Sequence, residues 1–151
     1  MGGLISEVRS VGLPFGDYQA EYLDGVRSTV VFERKSIGDL FGTLSSGMKR
    51  FRREIERSKQ VGARLVIAVE GTIEEVEQGH EYSTKSGETI LKTLGTLMFK
   101  HGIPTMFNPS RADMARMITW VFESEGYHRR RQSSDAILDD KIDIKKNKAI
   151  H

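Results

Sequence analysis

The 151-residue chain carries a net charge of +2 at neutral pH, 38% hydrophobic residues and no cysteine. That length and apolar content suit a single soluble domain with a core of its own, and the missing cysteines exclude disulfides, thiol nucleophiles and cysteine-based zinc sites. A cysteine-free chain fits a reducing, intracellular compartment, whether cytoplasm, nucleoid or nucleus. No apolar run approaches the roughly 20 residues of a membrane span, and Met1-Gly2-Gly3-Leu4-Ile5 is too short and uncharged for a secretory signal.

In chain order, Ile5, Val8, Val11 and Leu13 alternate imperfectly with polar residues, a weak strand pattern leading to Pro14 and the Gly16-Asp17 turn. Gln19-Ala20-Glu21-Tyr22, a turn at Leu23-Asp24-Gly25 and the run from Thr29 to Phe32 predict a hairpin with an Asp-Gly turn. Its second strand ends in three charges, Glu33, Arg34 and Lys35. Side chains alternate along a strand, so Glu33 and Lys35 share one face and Arg34 takes the other.

From Asp39 to Gln60, Phe41, Leu44, Met48, Phe51 and Ile55 fall at helical spacing, with Gly42 and Gly47 as candidate breaks. Lys49, Arg50, Arg52, Arg53, Arg57 and Lys59 occupy the other faces against only Glu54 and Glu56. Two accounts fit that surface: a phosphate-binding face, or a solvated face laced by i to i+4 pairs such as Arg50 with Glu54. Arg-Leu-Val-Ile-Ala-Val at 64–69 is a continuous apolar run, as expected of a central strand covered on both faces and joined to the preceding strand by a helical crossover. Glu70 at its end reads either as a neighbour of a metal or as an exposed acid at a strand exit.

Residues 72–78 suit a short helix, and 79–87 a surface loop in which His80 is a solvent-facing residue rather than a ligand. Glu88 to His101 predicts a helix with Ile90, Leu91, Leu94, Leu97 and Met98 inward and Gly102 as its stop. Ile103 to Phe107 predicts a short strand, held to an edge or a start by Pro104. Ser110-Arg111-Ala112-Asp113 opens another helix, with Met114, Met117, Ile118, Val121 and Phe122 as its apolar stripe. The methionines and the single tryptophan read as core packing. After Gly126 the chain becomes polar and basic through Arg129, Arg130 and Arg131, so residues 1–127 form the expected domain. Residues 128–151 are expected to be a charged flexible tail or a helix awaiting a partner.

The order hairpin, helix, buried strand, helix, strand, helix predicts an α/β sandwich, a mixed central sheet with helices on both faces. A hairpin brings the start of its first strand beside the end of its second, which would place Asp17 next to Glu33 with Lys35 alongside. Carboxylates hold hard divalent cations through oxygen, and a lysine can aim or deprotonate a water, a combination suited to metal-assisted hydrolysis of a phosphodiester.

Gly16-Asp17, then Glu33-Arg34-Lys35, then Asp39 after three residues, resembles the GD…ERKxxxD signature of the XPF-type structure-specific DNA endonucleases, a branch of the PD-(D/E)XK nucleases. The resemblance runs from about Leu13 through Gly71 and more loosely to about Tyr127. It implies a restriction-endonuclease-like fold, DNA as partner, and Mg²⁺ or Mn²⁺ held mainly by Asp17 and Glu33. Lys35 would serve the attacking water, Arg34 would pack against the following helix or touch a phosphate, and Asp39 would hold Arg34 or Lys35 in place. Lys49, Arg50, Arg52, Arg53 and Arg57 are the expected DNA contacts.

The chain departs from the family pattern at its start. Relatives open with a strand bearing an acidic D-x-R-E type motif, for which Glu7-Val8-Arg9 is a poor substitute. Either the native chain begins further upstream or the site works with fewer acids. Relatives also carry a helix-hairpin-helix module that grips branched or flapped duplexes, and no such glycine pair is visible here. Substrate geometry would then come from dimerisation or a partner protein. The competing function is a non-catalytic DNA-binding or scaffold domain on a nuclease-like fold. A small-molecule enzyme is disfavoured by the lack of a glycine-rich phosphate loop or nucleophile elbow.

Overall fold

The computed structural model describes the backbone of residues 5–9 and 16–150 and the side chains of residues 16–134. Three strands, β3 (Val30–Ser36), β4 (Arg64–Glu70) and β5 (Thr105–Asn108), form a parallel sheet with β4 in the middle. The apolar run at 64–69 is therefore the central strand, and β5, which Pro104 immediately precedes, lies at an edge of this sheet. A second sheet pairs β1 (Ile5–Arg9) antiparallel with β2 (Gln19–Tyr22), with Val8 opposite Ala20 and Arg9 opposite Gln19. The imperfect pattern at the start of the chain is thus a strand; the side chain of Glu7 lies outside the described residues.

The predicted hairpin is irregular. β2 joins β3 through a single bridge, Tyr18 with Phe32, and the connecting loop returns through Tyr22 N–H to Val26 O at 2.8 Å and Ser28 N–H to Ala20 O at 2.8 Å. Asp24 closes the turn by accepting from Val26 N–H at 3.0 Å, and Gly25 takes φ 82°, a left-handed value that glycine adopts without steric cost.

Between β3 and β4 the chain makes α1 (Ile37–Thr43) and α2 (Met48–Gln60), separated by a turn at Gly47 where a Cβ would lie 3.0 Å from the Gly42 carbonyl. The predicted apolar stripe serves both helices: Phe41, Leu44, Phe51 and Ile55 are buried and Met48 packs partly against them. After β4 come α3 (Ile73–Glu77), α4 (Gly87–His101) and, beyond β5, α5 (Arg111–Ile150). Gly102 ends α4 at φ 67°, the left-handed stop that a glycine supplies.

Strand alternation sorts the core into two layers. Val31, Leu65, Ile67 and Val69 face α1, α2 and α4, whereas Phe32 and Ala68 face Met114, Ile118 and Phe122 of α5 together with Ala20 and Tyr22. Helices thus cover both faces of the sheet, the α/β sandwich expected, but among the described residues the central sheet is parallel throughout rather than mixed, because the antiparallel strands β1 and β2 pair with each other as a separate sheet. α5 is held to the hairpin by polar groups as well. Tyr22 donates to Phe122 O at 3.0 Å and to the Glu125 carboxylate, which also accepts from Thr29 N–H at 3.1 Å. Burial and the Glu125 carboxylate push the Tyr22 phenol far above its ordinary range, so it remains a donor.

Met98 and Trp120 are 57% and 51% exposed and Met117 is exposed as well, so these three residues lie outside the core. Each sits one position away from a buried residue of its helix, at Leu97 or Ile118, or two away at Phe122, and the buried stripe is narrower than apolar spacing suggests. Of the two forms expected for the segment after Gly126, the backbone takes the helical one, with α5 running unbroken to Ile150.

Candidate metal centre and nucleic-acid interface

Gly16 explains how Asp17 reaches the sheet. Its φ is 72°, and a Cβ there would lie 2.2 Å from Val31 Cγ1, so only glycine lets the backbone come this close to β3. Asp17 N–H then donates to Phe32 O at 2.7 Å, and Asp17 Oδ2 accepts from Arg34 N–H at 2.8 Å. One carboxylate is thereby clamped to the strand beside Glu33.

Glu33 is buried, 8% exposed, and Lys35 Nζ lies 3.1 Å from its Oε1. Burial raises the Glu33 carboxyl above its ordinary range; the Lys35 ammonium lowers it, and the Asp17 and Glu54 carboxylates raise it further. Lys35 is thus paired with Glu33 at the carboxyl end of β3, and the Asp17 carboxylate, held at the Arg34 amide, is near enough for Glu33 to feel its charge, although Asp17 is not among the groove's lining residues. Glu33 and Lys35 open on a groove of about 500 Å³ whose other walls include Asp39, Thr43, Ser46, Arg50 and Glu54. Glu54, a counter-charge to the basic face when read from the sequence, is a wall of this groove and a neighbour of Glu33. Its signal was its place three residues after buried Phe51 and four after Arg50, on the edge of the helix that faces inward.

Arg34 emerges on the opposite face, as strand alternation requires. Its Nη2 meets Glu70 Oε2 at 2.9 Å, and Arg111 Nε of α5 approaches the same oxygen at 3.7 Å. Arg34 therefore packs toward α5 rather than the following helix, and Glu70 serves as its counter-ion. Asp39 does not hold Arg34 or Lys35, both of which pair elsewhere. It stands in the first turn of α1, where its N–H donates to the capping hydroxyl of Ser36 at 3.2 Å and its charge suits the positive end of the helix. His80 is half-buried over Gly38, its ring 5.9 Å from that of Phe41, a packing position rather than a solvent-facing one.

The basic residues of α2 are displayed rather than neutralised. Lys49, Arg50, Arg52, Arg53 and Arg57 are all exposed, and among the described residues none of them forms an ion pair. The i to i+4 pairing of Arg50 with Glu54 is absent from that set. Arg50 reaches the groove itself.

The donor set suits a hard cation. Two acids that sense each other's charge, one of them in a dry environment that disfavours ionisation, would be relieved by a divalent cation, and Mg²⁺ commonly takes one or two protein carboxylates while keeping waters. Among the described residues no third acid or histidine joins them as a metal cluster.

A family model, the ERCC4 domain, matches residues 3–120. The chain belongs to the ERCC4 domain family. Its fold is similar to that of XPF from Aeropyrum pernix, with a TM-score of 0.55 and 23% identity over 83% of this chain and 55% of that one. XPF from Aeropyrum pernix in complex with DNA gives a TM-score of 0.54 and 22% identity over 79% of this chain and 51% of that one. The chain thus spans about half the length of these XPF structures. No curated protein matches the sequence significantly.

Proposed function

We propose that this ERCC4 domain is a divalent-metal-dependent DNA endonuclease. The observation that carries the reading is the clamped Asp17 carboxylate beside the Glu33–Lys35 pair, at the end of a strand that opens on a groove flanked by an unneutralised basic helix. Structural similarity to an XPF captured with DNA supports a nucleic-acid substrate.

Asp17 and Glu33 would hold Mg²⁺ or Mn²⁺, and the bound ion would polarise the phosphoryl oxygen and lower the pKa of an attacking water. The rest falls to the side chains. Lys35, pinned by Glu33, carries three donors and a fixed positive charge at the groove, so it orients a water and offsets negative charge as it develops on the phosphate. Asp17 keeps its place through the Arg34 amide, so its position does not depend on a flexible side chain. Arg34 acts as a positioning residue, tying the far face of β3 to Glu70 and α5. Lys49, Arg50, Arg52, Arg53 and Arg57 supply phosphate contacts, which give affinity without base recognition. Branched or flapped DNA is the substrate class that the ERCC4 relationship favours.

Cleavage of labelled duplex, flap and single-stranded DNA, with and without Mg²⁺ or Mn²⁺, tests this directly. Asp17→Ala and Lys35→Ala should each abolish metal-dependent cleavage while leaving the circular dichroism spectrum unchanged. Equal cleavage by the parent chain and both variants would remove the proposal. DNA binding that needs no metal, with no cleavage under any condition, would instead support a scaffold role.

A further inference from the structure

At the far end of α2, away from the groove, a second set of cations converges from a different element. Lys59 Nζ lies 3.0 Å from Nδ1 of His101, the last residue of α4. Lys100 precedes His101 in the same helical turn, and Arg52 lies one face-repeat before Lys59 on α2. Lys59, Lys100 and Arg52 are exposed, and none of them is in an ion pair among the described residues. The Glu56 carboxylate acts on the imidazole in the opposite sense.

The chemistry is that of an anion site. Partial burial of His101, then the ammonium groups of Lys59 and Lys100 and the guanidinium of Arg52, hold its imidazole below the ordinary range, while Glu56 opposes them. A neutral ring accepts a hydrogen bond from the Lys59 ammonium at Nδ1 and so carries its own N–H at Nε2, which makes it a further donor. Three like charges gathered with one acid repel each other until a polyanion neutralises them.

The position fixes how far a bound nucleic acid would extend. α2 runs from the groove, which Arg50 lines, back to the start of β4, where Arg64 pairs with Val30 at the opposite end of the sheet. At 1.5 Å per residue, Lys59 lies about 14 Å beyond Arg50, a span of about four base pairs at 3.4 Å each. We propose that Lys59, Lys100 and His101 form a second phosphate clamp, which grips the backbone of a duplex DNA arm about four base pairs from the groove.

The proposal rests on the nuclease reading for the placement of DNA in the groove, but its test reads binding rather than cleavage. The full chain is titrated against labelled duplexes by fluorescence anisotropy with Ca²⁺ in place of Mg²⁺, over a range of salt. Each phosphate contact contributes about 0.9 to the slope of log affinity against log salt, so Lys59→Ala/Lys100→Ala should flatten the slope by about 2. Affinity at a fixed moderate salt should fall about tenfold or more. Glu56→Gln, which removes the opposing acid, should tighten binding. Trimming the duplex arm in single-base-pair steps should weaken the parent chain once the arm is shorter than about four pairs and leave the double variant indifferent.

An unchanged slope and affinity in Lys59→Ala/Lys100→Ala, while Arg53→Ala/Arg57→Ala binds less tightly, would overturn the clamp and leave the nuclease reading standing. Absence of cleavage with the double-variant effect intact would do the reverse. A slope change seen with single-stranded RNA but not with duplex DNA would also overturn the proposal.

Discussion

Replacing Lys35 with methionine isolates the electrostatics of the site from its shape. In the parent chain the ammonium stands 3.1 Å from a carboxylate whose side chain is 11% exposed, an attraction of about 5 kcal/mol at an effective dielectric of about 20 before desolvation is subtracted. Methionine keeps the length and removes the charge, which leaves Glu33 buried and unpaired, a change that ordinarily costs about 3–5 kcal/mol. Glu33 limits that cost by taking up a proton. Keeping a glutamate of ordinary pKa neutral costs about 1.4 kcal/mol per pH unit above about 4.3, so the ceiling is about 4 kcal/mol at pH 7 and about 1 kcal/mol at pH 5.

The direction follows from linkage. Burial already lifts the Glu33 pKa above its unfolded value, so the stability tied to its protonated form is fully present below the ordinary glutamate range and is lost as pH rises through the folded pKa. Removing Lys35, which lowers that pKa, extends the loss over a wider span. Urea denaturation from pH 5 to pH 8 should therefore show a Lys35→Met cost below about 1 kcal/mol at the acid end and about 2–3 kcal/mol at pH 7.5. Glu33→Gln in the same background should erase the pH dependence. Millimolar Mg²⁺ should restore part of the loss at pH 7.5, because a bound cation replaces the missing ammonium charge. A cost that stays flat from pH 5 to 8 would refute the argument that a dry, lysine-dependent carboxylate lies at this strand end.

Divalent-ion affinity of the parent chain, measured by calorimetry, should rise with pH through the elevated Glu33 pKa, since the ion displaces a proton; pH-independent affinity would exclude Glu33 as a ligand. Gly16→Ala should cost about 2 kcal/mol in thermal unfolding and abolish cleavage, because its Cβ would meet Val31 Cγ1 at 2.2 Å and carry Asp17 off the strand. Phe122→Ala removes a fully buried ring set edge-on to Phe32 at 5.3 Å and should cost about 3–5 kcal/mol in chemical denaturation. Glu70→Gln, in contrast, breaks a part-exposed ion pair and should cost only about 1 kcal/mol while leaving metal affinity unchanged, since Glu70 faces α5.

The parts of this fold that were legible in the sequence are those that a backbone period dictates. A strand period of two separates Glu33 and Lys35 from Arg34 and sends the two sets to opposite faces, where they pair with each other and with Glu70. The unbroken apolar run at 65–69 is the central strand, because a strand covered on both sides is the one that carries apolar residues at successive positions. Pairings across elements carry no comparable period. Nothing local says that Arg34 should meet Glu70 rather than Asp39, since that choice depends on β3 and β4 lying parallel with Ser36 opposite Glu70.

The depth of each helix in the core is settled in the same non-local way. Apolar spacing places Met98, Met117 and Trp120 beside a stripe, but the sheet beneath is only three strands wide, and it covers the centre of each stripe and not its margin. Glu54 shows the consequence for chemistry. On the helix alone it is one of two acids among six bases, and it becomes part of the Glu33 environment only because the turn at Gly47 brings the first half of α2 into the groove that Glu33 and Lys35 line. A groove charge set by tertiary placement of this kind is what separates an acid pair that can hold an ion from the same two residues in an unrelated chain.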